Sequence, residues 1–470
     1  MGRSVVGREL GLIAVAFGLS GCEAVGPDYL RPAAIVPSQY KEIKGWKLGE
    51  PRDDLDKGLW WGAFRDPELS ALEAQVAISN QTLKADEANY REAQALIAEA
   101  RAQLSPTLSL NGAAERSSGS SAASQTEASL TGAASWTPDV WGEVRRTIES
   151  QAAGAQANAA TLANATLSAQ SSLAVAYYEL RETDSLHDLL ADTVKQYKRS
   201  LDITGNQYHA GTAAQSDFIT AQALLLAAQA QEVNTDVARA QDEHAIAVLM
   251  GRPPAGLSIP HGGLGQGLPV IPIRAPSSLL ERRPDIAAAE RAMKQENALI
   301  GVALAAYYPN ITLSGALGAA AFSGVPLSAS NPVWSYGLSL AQTMFNGGLT
   351  DAQVAFARAT YDSSFATYRQ AVLAAFQQVE DQLAALPVLA REESVQTKAV
   401  AAAKQAVQIA LNEYQAGTQN FTTVVTAEAT ALSDEEAALT TREQRFASAV
   451  ALIVALGGGW SEAQWPADAK

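Results

Sequence analysis

Apolar and polar positions along this chain follow two periods, and the switches between them define its organisation. Four short stretches alternate residue by residue, which is the period of a strand. Leu108 and Leu110 alternate with Thr107, Ser109 and Asn111; then Leu130, Gly132, Ala134 and Trp136 alternate with Ser129, Thr131, Ala133 and Ser135. A second pair repeats the scheme. Ile311, Leu313 and Leu317 stand against Thr312, Ser314 and Ala316, and Trp334, Tyr336, Leu338 and Leu340 against Ser335, Gly337 and Ser339. These strands are expected within about 105–139 and 309–345, each close to the roughly 9 to 11 residues that a tilted strand needs to cross a bilayer. Between them the pattern is helical, with helices expected near 68–104, 142–206, 213–250, 280–306, 347–413 and 419–456. In the second half of 142–206, Leu173, Leu180, His187, Val194 and Leu201 recur every seven residues, with Ala176, Leu190 and Tyr197 three further along. That is a coiled-coil seam, with His187 in its core. The stretch contains no proline and would run roughly 95 Å. Its counterpart at 347–413 should kink or break at Pro387.

The helices pair off around a short turn that occurs twice, NQYHAGT at 206–212 and NEYQAGT at 412–418. Each turn follows a long helical pattern and precedes a shorter one, so each reads as the tip between two antiparallel helices. Gly211 and Gly417 supply the left-handed residue that commonly ends a helix, without a Cβ penalty. Thr212 and Gln215 have the spacing of a capping box for the next helix; the second copy has Thr418 but Phe421, which leaves a weaker cap. The duplication extends beyond the tips. QALIAEARAQLSPTLSLNG (94–112) lies over NALIGVALAAYYPNITLSG (297–315), matching Ala95, Leu96, Ile97, Pro106 and Gly112 with Ala298, Leu299, Ile300, Pro309 and Gly315. The chain therefore divides into a leader at 1–21, an N-terminal segment at 22–67, a first repeat at 68–250, a linker at 251–276, a second repeat at 277–456 and a tail at 457–470. The linker is too rich in glycine and proline for regular structure. Both it and the terminal segments are expected around the waist of the helical part.

Charge and composition narrow the function. A net charge of −15 leaves no basic stripe to neutralise phosphates, which argues against a nucleic-acid partner. Arg3 and Arg8 precede an apolar run from Leu10 to Leu19, and the sequence LSGC follows at 19–22. This is the layout of a secretory signal, and the only cysteine of the chain stands at its end. No later run is apolar enough for a membrane helix, so any crossing must be by strands. Four strands cannot close a membrane barrel, because the smallest need about eight and an open edge in lipid is too costly. The chain must therefore oligomerise through its strands, and a trimer would supply twelve. No catalytic constellation stands out. The four histidines, His187, His209, His244 and His261, lack metalloprotease spacing, and neither a phosphate loop nor a nucleophile elbow is present. The glycines at 262–267 run into Pro269 rather than into a helix.

The combination of LSGC, VGPDYLRP (25–32), SLLERRPDIAAAE (278–290), YYPNITLSG (307–315), MFNGG (344–348) and the doubled YxAGT tips resembles the outer membrane factors. These are the TolC-like exit ducts, and the similarity is greatest to the lipoprotein branch labelled NodT that serves resistance-nodulation-division pumps. The resemblance spans essentially the full chain. It implies a mainly α, tandem-repeat protomer that contributes four strands to a trimeric 12-stranded outer membrane β-barrel and helices to a 12-helix periplasmic α-barrel. It further implies lipidation at Cys22 as the only covalent group, no cofactor or metal, and location in the outer membrane, where Glu23 gives no inner-membrane retention signal. The implied partners are two further copies of the chain, outer membrane lipid, a periplasmic adaptor and an inner membrane pump. The duct would pass small molecules from periplasm to exterior; a duct for protein secretion and a structural coiled-coil lipoprotein of the envelope are the other readings. Its gate and adaptor-docking residues would be Tyr208, Gly211, Thr212, Asp217, Tyr414, Gly417, Thr418 and Gln419. Asp217 either rings the entrance with like charges or charges the first turn of its helix. Tyr208 and Tyr414 either gate or pack under their turns. The second tip lacks the basic residue that TolC-like members often carry after Gly-Thr, so hydrogen bonds from Tyr414 and Gln419 are the expected substitute for a salt-bridged lock. Trp136, Trp334 and Tyr336 suit an interfacial aromatic belt.

Overall fold

The structure is a computed structural model that describes residues 24–33, 36–42, 59–117, 125–265, 267–271, 282–321 and 332–458. Cys22, the leader, Glu23 and the C-terminal tail from 459 lie outside the described residues, as do most of both inter-strand linkers.

A short 3-10 helix (Trp60–Phe64) leads into α1 (Pro67–Ser79) and α2 (Gln81–Ala102), followed by β1 (Thr107–Ser117), β2 (Gln125–Trp136), α3 (Glu143–His209) and α4 (Gln215–Leu249). The second repeat supplies α5 (Pro284–Ala305), β3 (Asn310–Ala321), β4 (Pro332–Ala341), α6 (Leu349–Gln415) and α7 (Phe421–Ala455). The duplication is metrical. α2 and α5 each have 22 residues, α3 and α6 each 67, and α4 and α7 each 35. At 1.5 Å per residue the two long helices each reach about 100 Å.

Three expectations need correction. The helix expected at 68–104 is two helices, because Asn80 ends α1 and caps α2. Its side chain accepts from the amides of Thr82 and Leu83, and its Nδ2 donates to Leu249 O at 2.7 Å. In the second repeat α5 begins at Pro284, where a missing N–H costs nothing. Conversely, α6 runs unbroken through Pro387. Leu383 and Leu386 beside it are buried, and Glu393 one turn and a half further on accepts from Arg442 Nε (2.9 Å) and from Arg445 Nη1. Both arginines belong to α7, which splints the helix across the proline. Finally, the N-terminal segment does not begin at the waist. Val25 N donates to Trp141 O at 3.0 Å, which places the start of the segment at the base of the strands.

The helices lie side by side in the order α4, α3, α7, α6, with α2 and α5 packed on the half nearer the strands. The main core sits where these meet. It includes Trp60, Trp61, Leu69, Val76, Leu173, Tyr177, Leu180, Ile246, Met250, Ile286, Met293, Tyr368 and Val379, with Tyr178 stacked on Phe446 at 4.5 Å. Leu173, Leu180, Leu190 and Tyr197 of the heptad seam are buried, but His187 is only half-buried and places Nδ1 3.0 Å from Thr235 Oγ1. The linker crosses this level. Ile259 is buried, Arg181 Nη1 donates to Pro260 O, and the buried carboxylate of Asp184 accepts from Gly262 N at 3.0 Å.

The four strands form one antiparallel sheet in the order β1, β2, β3, β4, so the β2–β3 pairing joins the two repeats. Among the described residues β1 and β4 are its open edges.

Candidate functional site

Two regions distinguish this protomer, the hairpin tips at one end and the sheet at the other. At the tips, Gly211 (φ 75°) and Gly417 (φ 71°) adopt the left-handed conformation expected of them, in open space. Gly211 N donates to Tyr208 O at 2.9 Å and Gly417 N to Tyr414 O at 3.0 Å. The expected capping box does not form. The Thr212 hydroxyl turns back and donates to Gln207 O at 3.0 Å, closing α3, and Ala214, the N-cap of α4, supplies no side-chain cap. Thr418 does the same with Glu413 O. The second tip is in fact the better capped, because Asn420 Oδ1 accepts from Thr423 N at 3.1 Å.

Beneath each turn an aromatic pair packs. Tyr208 stacks on Phe218 with ring centroids 5.8 Å apart and planes within 13°, and Tyr414 packs on Phe421 at 5.2 Å. Tyr414, Phe421, Val424 and Ala410 form one buried cluster with Ala221 of α4, so the second tip leans on the first hairpin. Gln207 Nε2 also reaches Tyr414 O at 3.5 Å. The Tyr414 hydroxyl is buried without a well-formed hydrogen bond among the described residues, close to Thr204 and Asp217. Burial and the Asp217 carboxylate both push its pKa up. Asp217 and Tyr414, from different repeats, are thus near enough to interact electrostatically, though no hydrogen bond joins them. The structure does not bring Gln419 to them: its Oε1 accepts only from Thr423 Oγ1, at 3.4 Å.

One contact near the tips escaped sequence reading. Ser200 of α3 donates to the buried Glu428 carboxylate of α7 at 2.5 Å, and burial raises Glu428 to about 7. A lone Glu on a helix gives no signal of its partner in another repeat.

The sheet register explains the alternation of the strands. Leu108 lies opposite Ala134, Leu110 opposite Gly132, Trp136 opposite Leu313, Leu313 opposite Leu338 and Leu317 opposite Trp334. Residues directly opposite share a face, so all of these, with Tyr336 and Leu340, form a single apolar face. The other face carries Thr107, Ser109, Asn111, Thr131, Ser135, Thr312, Ser314, Ser335 and Ser339, all small and polar. The three candidate belt residues share the apolar face at stepped levels. Trp334 stacks on Tyr336 at 5.8 Å, while Trp136 lies level with Leu338, two residues nearer the helices than Tyr336 and four nearer than Trp334, about 7 and 13 Å. Trp136 Nε1 donates to Leu104 O at 3.0 Å. Around that lower level stand aromatic residues not singled out from the sequence. Trp141 stacks on Tyr308 at 4.9 Å and donates Nε1 to Pro309 O at 2.7 Å, and the Tyr307 hydroxyl donates to Asp351. Their signal was available: aromatic residues flanking β2 and β3 on their helical side.

Among the described residues no group of acidic, histidine or cysteine side chains is arranged to hold a metal ion, and no helix is long and apolar enough to cross a membrane.

Comparison with known proteins agrees with this geometry. Similar relatives include a toluene efflux pump outer membrane protein, TtgC of Pseudomonas putida, 29% identical over 469 residues and covering 96% of both chains. The pyoverdine export outer membrane protein OpmQ of Pseudomonas aeruginosa is 30% identical over 477 residues, covering 96% of this chain and 97% of its own. Among solved structures, the outer-membrane channel OprN superposes with a TM-score of 0.86 at 29% identity, over 93% of this chain and 99% of its own. The open state of the MtrE outer membrane channel of Neisseria gonorrhoeae superposes with a TM-score of 0.78 at 28% identity, over 93% and 98%. The family described as outer membrane efflux protein matches residues 72–252 and 275–458, which are the two repeats. The chain belongs to that outer membrane efflux protein family.

Proposed function

We propose that three copies of this chain form the exit duct of a tripartite efflux system, a passive conduit that carries small molecules from the periplasm across the outer membrane. The observation that carries this reading is the sheet, with one apolar face, one face of small polar residues and two unpaired edges. An apolar face suits lipid and a small polar face suits a water-filled lumen. Open edges cannot remain in lipid, so β4 of one protomer would pair with β1 of the next, and three copies give a closed barrel of twelve strands. The helices would continue the duct into the periplasm, with the tips as its narrow entrance.

The remaining roles belong to the same proposal. Cys22 would carry the lipid. Trp136 with Trp141, Tyr307 and Tyr308 would mark the lipid interface nearer the helices, and Trp334 and Tyr336 would lie further into the bilayer. The tips, with Tyr208, Gly211, Thr212, Gly417, Thr418 and Gln419, would dock a periplasmic adaptor that links the duct to an inner membrane pump of the resistance-nodulation-division class. The buried cluster of Tyr414, Phe421 and Val424 on Ala221 of the first hairpin would hold the tips together in a closed state, and docking would bias them toward an open state.

The test is the mass of the detergent-extracted protein by light scattering, with planar-bilayer conductance on the same sample. A trimer with low, rarely opening conductance is the expected result. A stable monomer that conducts nothing would overturn the duct reading.

A further inference from the structure

Arg146 stands at the start of α3, directly below the sheet, and it is only 5% exposed. Its guanidinium donates Nε to Val25 O (3.1 Å) and Nη2 to Ala24 O (3.4 Å), Gly26 O (3.2 Å) and Asp28 Oδ1 (2.8 Å), while Nη1 takes Glu149 Oε2 at 2.7 Å. Three successive carbonyls and a carboxylate of one short stretch therefore converge on a single rigid fork. A lysine, with one rotatable ammonium, could not satisfy them all.

The stretch is held from its other side too. Gly26 has φ +101°, and a Cβ on it would stand 2.5 Å from Cα of Gly301 in α5. Asn297 of α5 donates Nδ2 to Pro27 O at 2.9 Å, and Val25 N donates to Trp141 O. Further along, Tyr29 donates to Glu290 at 2.5 Å, and the amides of Lys41 and Glu42 donate to the Glu380 carboxylate at 2.7 and 3.0 Å. Along α5 and α6 these contacts descend from the base of the sheet toward the waist. Residues 24–33 and 36–42 thus form a strap whose upper end is locked beneath the strands, beside the aromatic pair Trp141 and Tyr308. A strap needed only to cover the waist would have no use for four hydrogen bonds from a buried guanidinium at the strand end.

We infer that Arg146 is a positioning residue for the acylated N-terminus. It holds residues 24–28 so that lipid carried two residues upstream enters the membrane at the level of Trp141 and Tyr308. This rests on the reading of Cys22 as lipidated. Two residues span at most about 7 Å, so the clasp fixes the height at which acyl chains begin. Lipid and barrel base are then one mechanical unit, and the N-terminus serves as a rigid membrane-level mark instead of a loose tether.

The test uses the full-length protein with Pro27→Cys carrying a bimane label, reconstituted in phosphatidylethanolamine and phosphatidylglycerol vesicles with nitroxide lipids quenching at shallow or deep positions. Mass spectrometry of the same samples reports acylation of Cys22. With Arg146 present, the shallow quencher should act more strongly than the deep one. Arg146→Met should abolish that difference while acylation, trimer mass and conductance persist, and Arg146→Lys should restore part of it. Should Arg146→Met fail to assemble, Gly26→Ala releases the strap with Arg146 still in place and should give the same loss. A depth preference unchanged in an acylated, assembled Arg146→Met or Gly26→Ala protein would overturn the inference. An absent acyl mass on Cys22 would instead overturn the lipid reading beneath it.

Discussion

At the scale of single residues, two carboxylates have opposite consequences. The Asp217 carboxylate acts electrostatically on the buried Tyr414 hydroxyl across the boundary between repeats, with no hydrogen bond between them. If this interaction bears on the closed tips, its loss repeats in every subunit. An interaction of about 1 kcal/mol lost three times in a concerted opening shifts the equilibrium by about two orders of magnitude. Asp217→Ala should therefore raise open-channel conductance strongly without lowering the melting temperature; if the residue only charges the first turn of α4, stability should fall and conductance stay low. Glu73 acts on the fold. It is 0% exposed, neither carboxylate oxygen has a partner among the described residues, and burial pushes it up to about 9. The folded chain then keeps a proton that the unfolded chain releases near the ordinary carboxylate range. Folding stability therefore falls as pH rises between those two values, by about 1.4 kcal/mol per unit in the limit. Glu73→Gln should melt close to the parent at pH 5 and well above it at pH 8, and parallel curves at both would show that Glu73 is relieved by a further partner.

At the scale of elements, period was the most legible property and interruption the least. The period-two stretches fixed which residues share a sheet face, because register cannot slip by one without turning every leucine over. The equal spacing of the YxAGT turns announced two hairpins of matched length. What failed were the stops. Pro387 sits in a helix whose neighbours Leu383 and Leu386 are buried and whose next turns are tied by Glu393 to α7, so tertiary contacts override a local breaker. Asn80 shows the reverse. A single polar residue in an otherwise continuous helical pattern ends α1, because its side chain can cap the next helix and also reach Leu249 O. The same limit governs the site: Gly211 and Gly417 were readable from local chemistry, whereas their threonines close the preceding helix instead of capping the next, and the Ser200–Glu428 contact joins repeats and leaves no mark at either residue. The strap beneath Arg146 went unseen for that reason as well.

At the scale of the whole molecule, the protomer is a slab with two unfinished sides. The sheet ends in β1 and β4, and the helical layer ends in α4 and α6, each of which exposes apolar residues. Ile219, Leu226 and Val233 on α4 recur every seven residues, as do Val388 and Val395 on α6, with Ile409 two heptads further on, and all six are exposed. Ile219 lies as far past Gly211 as Ile409 lies before Gly417, and Val233 and Val395 are matched in the same way. Antiparallel helices with tips at one level would therefore bring Ile219 against Ile409 and Val233 against Val395, closing a coiled-coil seam between neighbouring protomers. A buried like charge or lone charge there is costly, while an opposite pair restores complementarity. Val395→Glu alone and Val233→Lys alone should each lower the assembled mass toward the protomer with its helical content retained, and the double variant should recover the trimer. If the single variants assemble as well as the parent, α4 and α6 do not meet, and the ring must close through the strands alone.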